Sequence, residues 1–486
     1  CVVEVPEDRW DWQAVYGDEA GRDLTTSRWG GFLSDVDRFD ADRFRVSPRE
    51  AEMMDPRQRL ALSGVWQLME DSGYSPVTTT PQSVGLFLGV TGDEYGALLA
   101  ERGAAQDQLS LIGTGRSIIA NRVNYTLNWS GPSEVIDTTC SSSLVAIHHA
   151  VSALQRGDCA MAVAGGVSVL IDPRPHIALS KVGVLAADGR CKTFDARADG
   201  YVRSEGIGLV LLKPLSAALA DGDQVKAVVR ACRINHGGRS SALTAPNVAA
   251  QTNLIEQALE EAGPGVAGLG LHESHGTGTG LGDPIELDAF QRALRTQLER
   301  EGMDCPPSPV SVGSVKSAIG HAEAAAGVAG FIKAVLALQN REIPPLVHLQ
   351  TVNPQIDLDP SLIHLGGQRL DWSGPAINEG AGLTRRATVS AFGFGGVNAF
   401  AVLEEAPACE PRQERNATEF FVLSARTDSD LNWYANSLAS WLEDEGRDVP
   451  LADVAFTLRW GRVQDSRRAA IVASTRDELV SALRSV

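Results

Sequence analysis

Gly131-Pro132-Ser133-Glu134-Val135-Ile136-Asp137-Thr138-Thr139-Cys140-Ser141-Ser142-Ser143 passes from a turn through a short extended run into a hydroxyl-rich junction, after which Leu144, Ile147, Val151 and Leu154 recur at helical spacing. Cys140 therefore falls where a strand hands over to a helix N-terminus. Unpaired amides and the helix dipole favour an anion there, so the spacing predicts a thiolate of lowered pKa and a Cys140 amide free to serve an oxyanion. A lone cysteine is ordinarily a small buried hydrophobe. The flanking hydroxyls and the abrupt change of periodicity favour the reactive reading, and the same hydroxyls are expected to act as N-caps.

Working outward, short apolar runs at 84–89, 161–166, 208–212 and 310–315 alternate with longer helical patterns and Gly-rich turns. That is the pattern of an α/β chain whose buried strands are covered on both faces by helices. The stretches around Cys140 and His321 each read as strand, reactive loop and helix, as two halves of a duplicated fold would. Of the 486 residues, 43% are hydrophobic and 21% charged, enough to bury a large core. The formal charge of −18 repels phosphate backbones and anionic lipid, which disfavours nucleic-acid and membrane partners. Seven cysteines, with no C-x-x-C pair, suggest neither a disulfide frame nor a zinc knuckle, and a reducing cytoplasm fits best. No apolar run reaches the roughly 18–20 residues of a membrane span, and the first residues carry no secretory signal. The chain begins with Cys1 rather than Met and is read as a piece of something longer. Composition changes most sharply at 407–417, placing a boundary between a main domain, 1–406, and an appended module, 407–486, with a strand at 420–423, a helix at 430–442 and a strand at 469–472.

Three further clusters carry candidate chemistry. Glu273-Ser274-His275-Gly276-Thr277-Gly278-Thr279-Gly280 is a loop glycine-rich enough for a ligand to approach the backbone, and Asp283, Pro284 and Glu286 read as N-cap, first helical residue and capping-box partner. The run lacks the G-K-[ST] ending of a phosphate loop. Val312 to His321 places Lys316 and His321 across a strand-to-helix turn ahead of a small-residue helix at 322–338, where a lysine can orient an imidazole or carboxylate. Ser390-Ala391-Phe392-Gly393-Phe394-Gly395-Gly396-Val397-Asn398 joins two strands through a glycine turn whose amides could complete an oxyanion hole. The other histidines have no comparable setting.

One cysteine and two histidines in this order, each in a Gly/Ser/Thr-rich turn, resemble the β-ketoacyl synthase family, specifically the ketosynthase domain of a modular type I polyketide synthase. The resemblance runs from Glu4-Val5-Pro6 through Asp55-Pro56-Arg57-Gln58-Arg59-Leu60 to Leu403-Glu404-Glu405. It implies a thiolase-like fold, two pseudo-symmetric α-β-α-β-α halves with a small C-terminal α/β linker, usually as a homodimer. Cys140 matches the acyl-accepting nucleophile, His275 and His321 the catalytic histidines, and Lys316 the supporting lysine. Phe394 matches the residue whose amide joins that of Cys140 in the oxyanion hole and whose ring gates the acyl pocket, while Thr277 and Thr279 match pantetheine contacts. The family's usual first strand is missing ahead of Glu4, and Ala318, Val397 and Phe400 stand where Asn, Thr or Ser, and His are usual. The stretch from Ala120 to Ser133 resembles trans-acyltransferase systems more than those with an embedded acyltransferase, and 423–462 resembles the linker that follows ketosynthases in both kinds.

The resemblance implies decarboxylative Claisen condensation of a Cys-bound acyl chain with a malonyl-type extender. Acyl carrier protein and the adjacent synthase domains would be partners, with no cofactor on this domain and substrates carried on phosphopantetheine. Two neutral imidazole N–H donors can stabilise an enolate without a metal. One alternative is a non-elongating domain that binds or transfers an acyl chain; it would need Cys140 but could dispense with His275. A cysteine hydrolase would need a His paired to the cysteine and an orienting Asp or Asn. Arg459, Arg462, Arg467 and Arg468 form a basic stretch expected to help dock an acidic carrier.

Overall fold

The computed structural model describes residues 1–19, 22–78, 83–372, 384–408 and 417–486. These group into two compact units, one of Cys1–Gly64, Ser83–Ala218 and Val225–Ala406, the other of Val65–Gln82, Leu219–Gln224 and Pro407–Val486. Of the composition change at 407–417, residues 409–416, Cys409 among them, lie outside the described residues.

The first unit holds two sheets of matching design. Val84–Gly89 and Met161–Ser168 are buried at every position, the continuous apolar run of a strand covered on both faces. They pair in parallel with each other, Val84–Gly89 also with Ser133–Ile136, and Gly206–Leu212 closes the row antiparallel. In the second sheet Val310–Gly313, Leu269–Glu273 and Arg386–Phe392 are parallel neighbours and Val397–Glu405 follows antiparallel. Chain order, spatial order and strand sense therefore repeat, which makes the halves pseudo-symmetric. The second sheet extends further, with Ile363–His364 at one edge and Ala227–His236 antiparallel to Val397–Glu405 at the other; among the described residues Gly206–Leu212 has no such neighbour.

In each half the second parallel strand leads to a central helix, Ser142–Arg156 and Ala326–Asn340. Leu144, Ile147, Ala150, Val328, Phe331 and Ala334 from these helices share one core with Phe87, Ala162 and Ala164 of the first sheet and Leu271, Ala387 and Val389 of the second. Burying each large side chain among them stabilises the unit by roughly 1.5–3 kcal/mol. Outside the second sheet, Val248–Ala262 and Gly282–Arg300 seal a second core through Leu254, Leu259, Leu287, Phe290 and Leu294. Helix Arg116–Leu127 buries Ile119, Ala120 and Val123 beside the first sheet. The helix expected over 322–338 begins later: Glu323–Ala325 is a 3-10 turn, and Ala326–Asn340 follows it.

In the second unit Glu419–Ala425 pairs antiparallel with Arg467–Ala473, Phe421 opposite Ile471. Asp428–Glu443, Leu451–Trp460 and Arg476–Leu483 pack on one face of this strand pair through Leu431, Ala435, Leu458 and Leu479. The last two helices were not expected, although Thr475 and Glu478 form a capping box.

Candidate active site

Four loops at the C-terminal ends of parallel strands supply the site, the position at which α/β sheets ordinarily bind ligands. Strand Ser133–Ile136 leads to Cys140, Leu269–Glu273 to His275, Val310–Gly313 to Lys316 and His321, and Arg386–Phe392 to Phe394. Cys140 is half-buried in the 3-10 turn Thr139–Ser141, directly ahead of the central helix. The preceding Thr139 has φ 57°, a left-handed conformation that a β-branched residue adopts only under constraint. The hydroxyls impose part of that constraint and do not cap the helix as expected. The Ser142 hydroxyl accepts from the Thr138 amide at 2.9 Å and donates to the Thr139 carbonyl at 2.6 Å, while the Ser143 hydroxyl accepts from the Val328 amide at 3.0 Å, tying together the two central helices. Gly393 completes the junction, for a Cβ there would lie 2.3 Å from the Thr138 carbonyl oxygen. This close approach lets the Phe394 amide reach the Cys140 sulfur. Phe394 is 44% exposed.

The expected preformed thiolate is corrected. Burial, with the Glu323 carboxylate second, pushes the Cys140 thiol up to about 11, outweighing Lys316 and the amides of Phe394 and Cys140, which pull it down. The resting group is a thiol.

The imidazoles of His275 and His321 meet edge to face with ring centroids 5.7 Å apart. Each spends its Nδ1 on a backbone amide: Phe392 N–H donates to His275 at 3.3 Å, and Glu323 N–H donates to His321 at 2.9 Å. Both rings therefore carry their proton on Nε2. Among the described residues the His321 Nε2 is buried without a partner. Desolvation first, then the charge of Lys316, hold both groups well below the usual histidine range, so both are neutral at neutral pH. Lys316 is itself buried, its pKa lowered by desolvation against the opposing fields of Glu273, Glu286 and Cys140. One ammonium thus acts on the cysteine and both histidines.

The capping-box reading of the 283–286 segment is also corrected. The helix starts at Gly282 with no side-chain cap. Asp283 instead accepts from the amides of Phe194 at 2.7 Å and Gly278 at 3.1 Å, and burial pushes its carboxyl up to about 7. Glu286 accepts from the amides of His275 at 2.6 Å and Gly276 at 2.8 Å and from the Ser390 hydroxyl at 2.6 Å, so it clamps the histidine loop to the neighbouring strand. Glu286 and Ser390 are positioning residues that sequence reasoning missed, as is Glu273, which binds the Val315 amide and the Lys333 ammonium. Thr277 and Thr279 lie in the same loop with their hydroxyls 3.3 Å apart. Phe400 is fully buried against His272.

The chain that sets one cysteine at a helix N-terminus facing an amide-bearing glycine turn, with two neutral imidazoles beside a buried lysine, is similar to known proteins along its length. Residues 1–218 match the N-terminal domain of β-ketoacyl synthases and residues 226–350 the C-terminal domain. The chain belongs to the β-ketoacyl synthase family. This ketosynthase is 42% identical to an oxazolomycin ketosynthase domain of Streptomyces albus, covering 100% of this chain and 83% of that one with a TM-score of 0.92. The ketosynthase from module 6 of the bacillaene synthase of Bacillus subtilis is 34% identical over 99% of this chain and 79% of that one, with a TM-score of 0.86. Among whole synthases, PksN of Bacillus subtilis is 41% identical over 99% of this chain, and a phenolphthiocerol/phthiocerol polyketide synthase of Mycobacterium tuberculosis is 42% identical over 100%. The chain spans only 9% and 25% of their lengths. Residues 422–486 match a RhiE-like, KS-MAT linker domain, which places the ketosynthase in a multidomain synthase context. The fold is accordingly thiolase-like. No helix among the described residues is long and apolar enough to cross a membrane.

The four arginines of the basic stretch are engaged within their own unit. Arg459 faces Glu419, Arg462 Glu70 and Arg467 Asp428, while Arg468 donates to the Asp465 carbonyl.

Proposed function

We propose that this ketosynthase elongates a polyketide by decarboxylative Claisen condensation, as an acyltransferase acting on carrier-bound thioesters. The observation that carries the reading is the pair of neutral imidazoles, each with Nδ1 occupied by a backbone amide and Nε2–H left to donate. In loading, the Cys140 sulfur attacks the incoming thioester carbonyl, whose oxygen takes negative charge between the Cys140 and Phe394 amides. The carrier thiol leaves, taking the proton that Cys140 gives up. In condensation, the malonyl thioester loses its carboxylate as CO2 while its carbonyl oxygen, becoming an enolate, accepts from the two Nε2–H groups. The enolate carbon then attacks the Cys140 thioester, forming the β-ketoacyl carrier and releasing the thiolate, which takes up a proton. Lys316 keeps both imidazoles neutral, so they donate without having first to lose a proton.

The chemistry needs no cofactor on this domain, and Thr277 and Thr279 are assigned to the pantetheine arm. Partners are acyl carrier protein, neighbouring synthase domains and a second copy in a homodimer, all in the cytoplasm. The linker match supports a synthase served by a trans-acting acyltransferase. The test is intact-mass analysis of the acyl-loaded protein mixed with malonyl carrier protein. Elongated product on the carrier is expected, with loading abolished in Cys140→Ala and retained in His275→Ala, which should lose on the order of 10²-fold or more in condensation. Loading without any product in the unmodified domain would turn the assignment to acyl transfer alone.

A further inference from the structure

The amide that sets the tautomer of His321 belongs to Glu323, and Glu323 is held in an unusual way. Its φ of 46° lies in the left-handed region, where a non-glycine residue stays only if its surroundings hold it. That conformation turns its N–H back onto the ring of His321 two residues earlier, at 2.9 Å. The Glu323 carboxylate is gripped by the Arg203 fork, Nε at 2.5 Å from Oε1 and Nη2 at 3.1 Å from Oε2. Arg203 is among the largest fully buried side chains of the protein. Its own backbone is registered against His321, whose N–H donates to the Val202 carbonyl at 2.7 Å and whose carbonyl accepts from the Ser204 amide at 2.8 Å. One residue thus brackets His321 through the main chain on one side and through Glu323 on the other.

We infer that Arg203, acting through Glu323, is a positioning residue that locks His321 as the Nε2–H tautomer. A bidentate guanidinium–carboxylate pair fixes orientation as well as distance, and a buried pair of this kind is more readily explained by the geometry it imposes than by stability, since burial costs much of what the attraction returns. Without the clamp Glu323 relaxes from the left-handed region, its amide leaves Nδ1, and the imidazole proton distributes over both nitrogens. A ring protonated on Nδ1 offers the enolate a lone pair instead of a donor. The inference rests on the role proposed above for His321, and it concerns condensation alone, because loading uses the Cys140 and Phe394 amides.

The test uses the whole chain with 15N-labelled histidine. Imidazole nitrogen shifts report the His321 tautomer, intact mass reports acyl loading of Cys140, and CO2 release from a malonyl pantetheine thioester reports decarboxylation. In Arg203→Met we expect loading within about twofold of the unmodified protein, decarboxylation reduced at least about tenfold, and His321 shifted from a pure Nε2–H pattern to a mixture. Arg203→Lys, which keeps the charge but not the fork, should fall between. Should the single change prevent folding, Arg203→Met with Glu323→Gln removes both charges together and carries the same expectation for the tautomer and for decarboxylation, with loading free to rise because the Glu323 charge no longer opposes the Cys140 thiolate. An unchanged tautomer overturns the inference whatever the rates, and so does parallel loss of loading and decarboxylation in a folded variant. An unmodified protein that loads but never decarboxylates would defeat the proposed function, while the nitrogen shifts would still decide the clamp.

Discussion

Cys140 is where local and tertiary chemistry disagree most. Its place in the chain, after a strand and before a helix, was readable from spacing, and so was the presence of donors around it. Its protonation state was not, because the groups that bury it and act on it, Glu323, Lys316 and Phe394, lie far along the chain. With the thiol at about 11, iodoacetamide should alkylate Cys140 at a rate that climbs about tenfold per pH unit from 7 to 10 with no plateau near neutrality, since the thiolate is the reactive form. Peptide mass spectrometry of the modified cysteine over that range checks this. A plateau below pH 8 would restore the helix terminus as the dominant influence. His275 and His321 were equally legible as residues, each announced by its glycine-rich turn. Their pairing, their tautomers and their lowered pKa values follow from amides of Phe392 and Glu323 and from the buried Lys316.

At the level of elements, Arg386–Phe392 is buried at every position yet interrupted by Arg386, Thr388 and Ser390, so no apolar run announced it, whereas strands both buried and apolar throughout were legible. Val84–Gly89 and Met161–Ser168 are cases in point. Capping was misread where a carboxylate had a distant claim on it. Asp283 and Glu286 have the spacing of a capping box, yet they bind Phe194 and Ser390, which are 89 and 104 residues away. The hairpin turn at 393–396 gives a sharper test of how elements hold the site. In Gly393→Ala the new methyl would meet the Thr138 carbonyl, backbone that cannot step aside, so the turn must retreat and carry the Phe394 amide away from Cys140. We expect acyl loading in a single-turnover assay to slow on the order of 10²-fold, the usual loss for one oxyanion donor, while circular dichroism stays unchanged. Loading at the original rate would remove that amide from the oxyanion hole.

Across the whole molecule, the site is built by burying charge, and stability registers it. Burial pushes the Glu94 carboxyl up to about 7 from its ordinary 4.5, against the opposing fields of Arg203 and Arg57. Below about pH 4.5 this group is protonated in both folded and unfolded chains. Between 4.5 and 7 the folded chain retains a proton that the unfolded chain releases, so rising pH weakens the fold through this group by on the order of 3 kcal/mol, complete above about 7. Asp283, also at about 7, adds in the same direction. Glu94→Gln should therefore raise the urea midpoint at pH 8 and change it little at pH 4.5; an equal change at both would detach the effect from titration. By itself the amino-acid sequence determined the order of the reactive motifs, the apolar runs that become strands, the turns that must be glycine and the family to which they point. Only the tertiary structure decided which acids clamp which loops, which tautomers the histidines hold and whether the cysteine is charged. Those properties depend on desolvation and on fields that fall off with distance in space, and neighbours in space here are often a hundred residues apart along the chain.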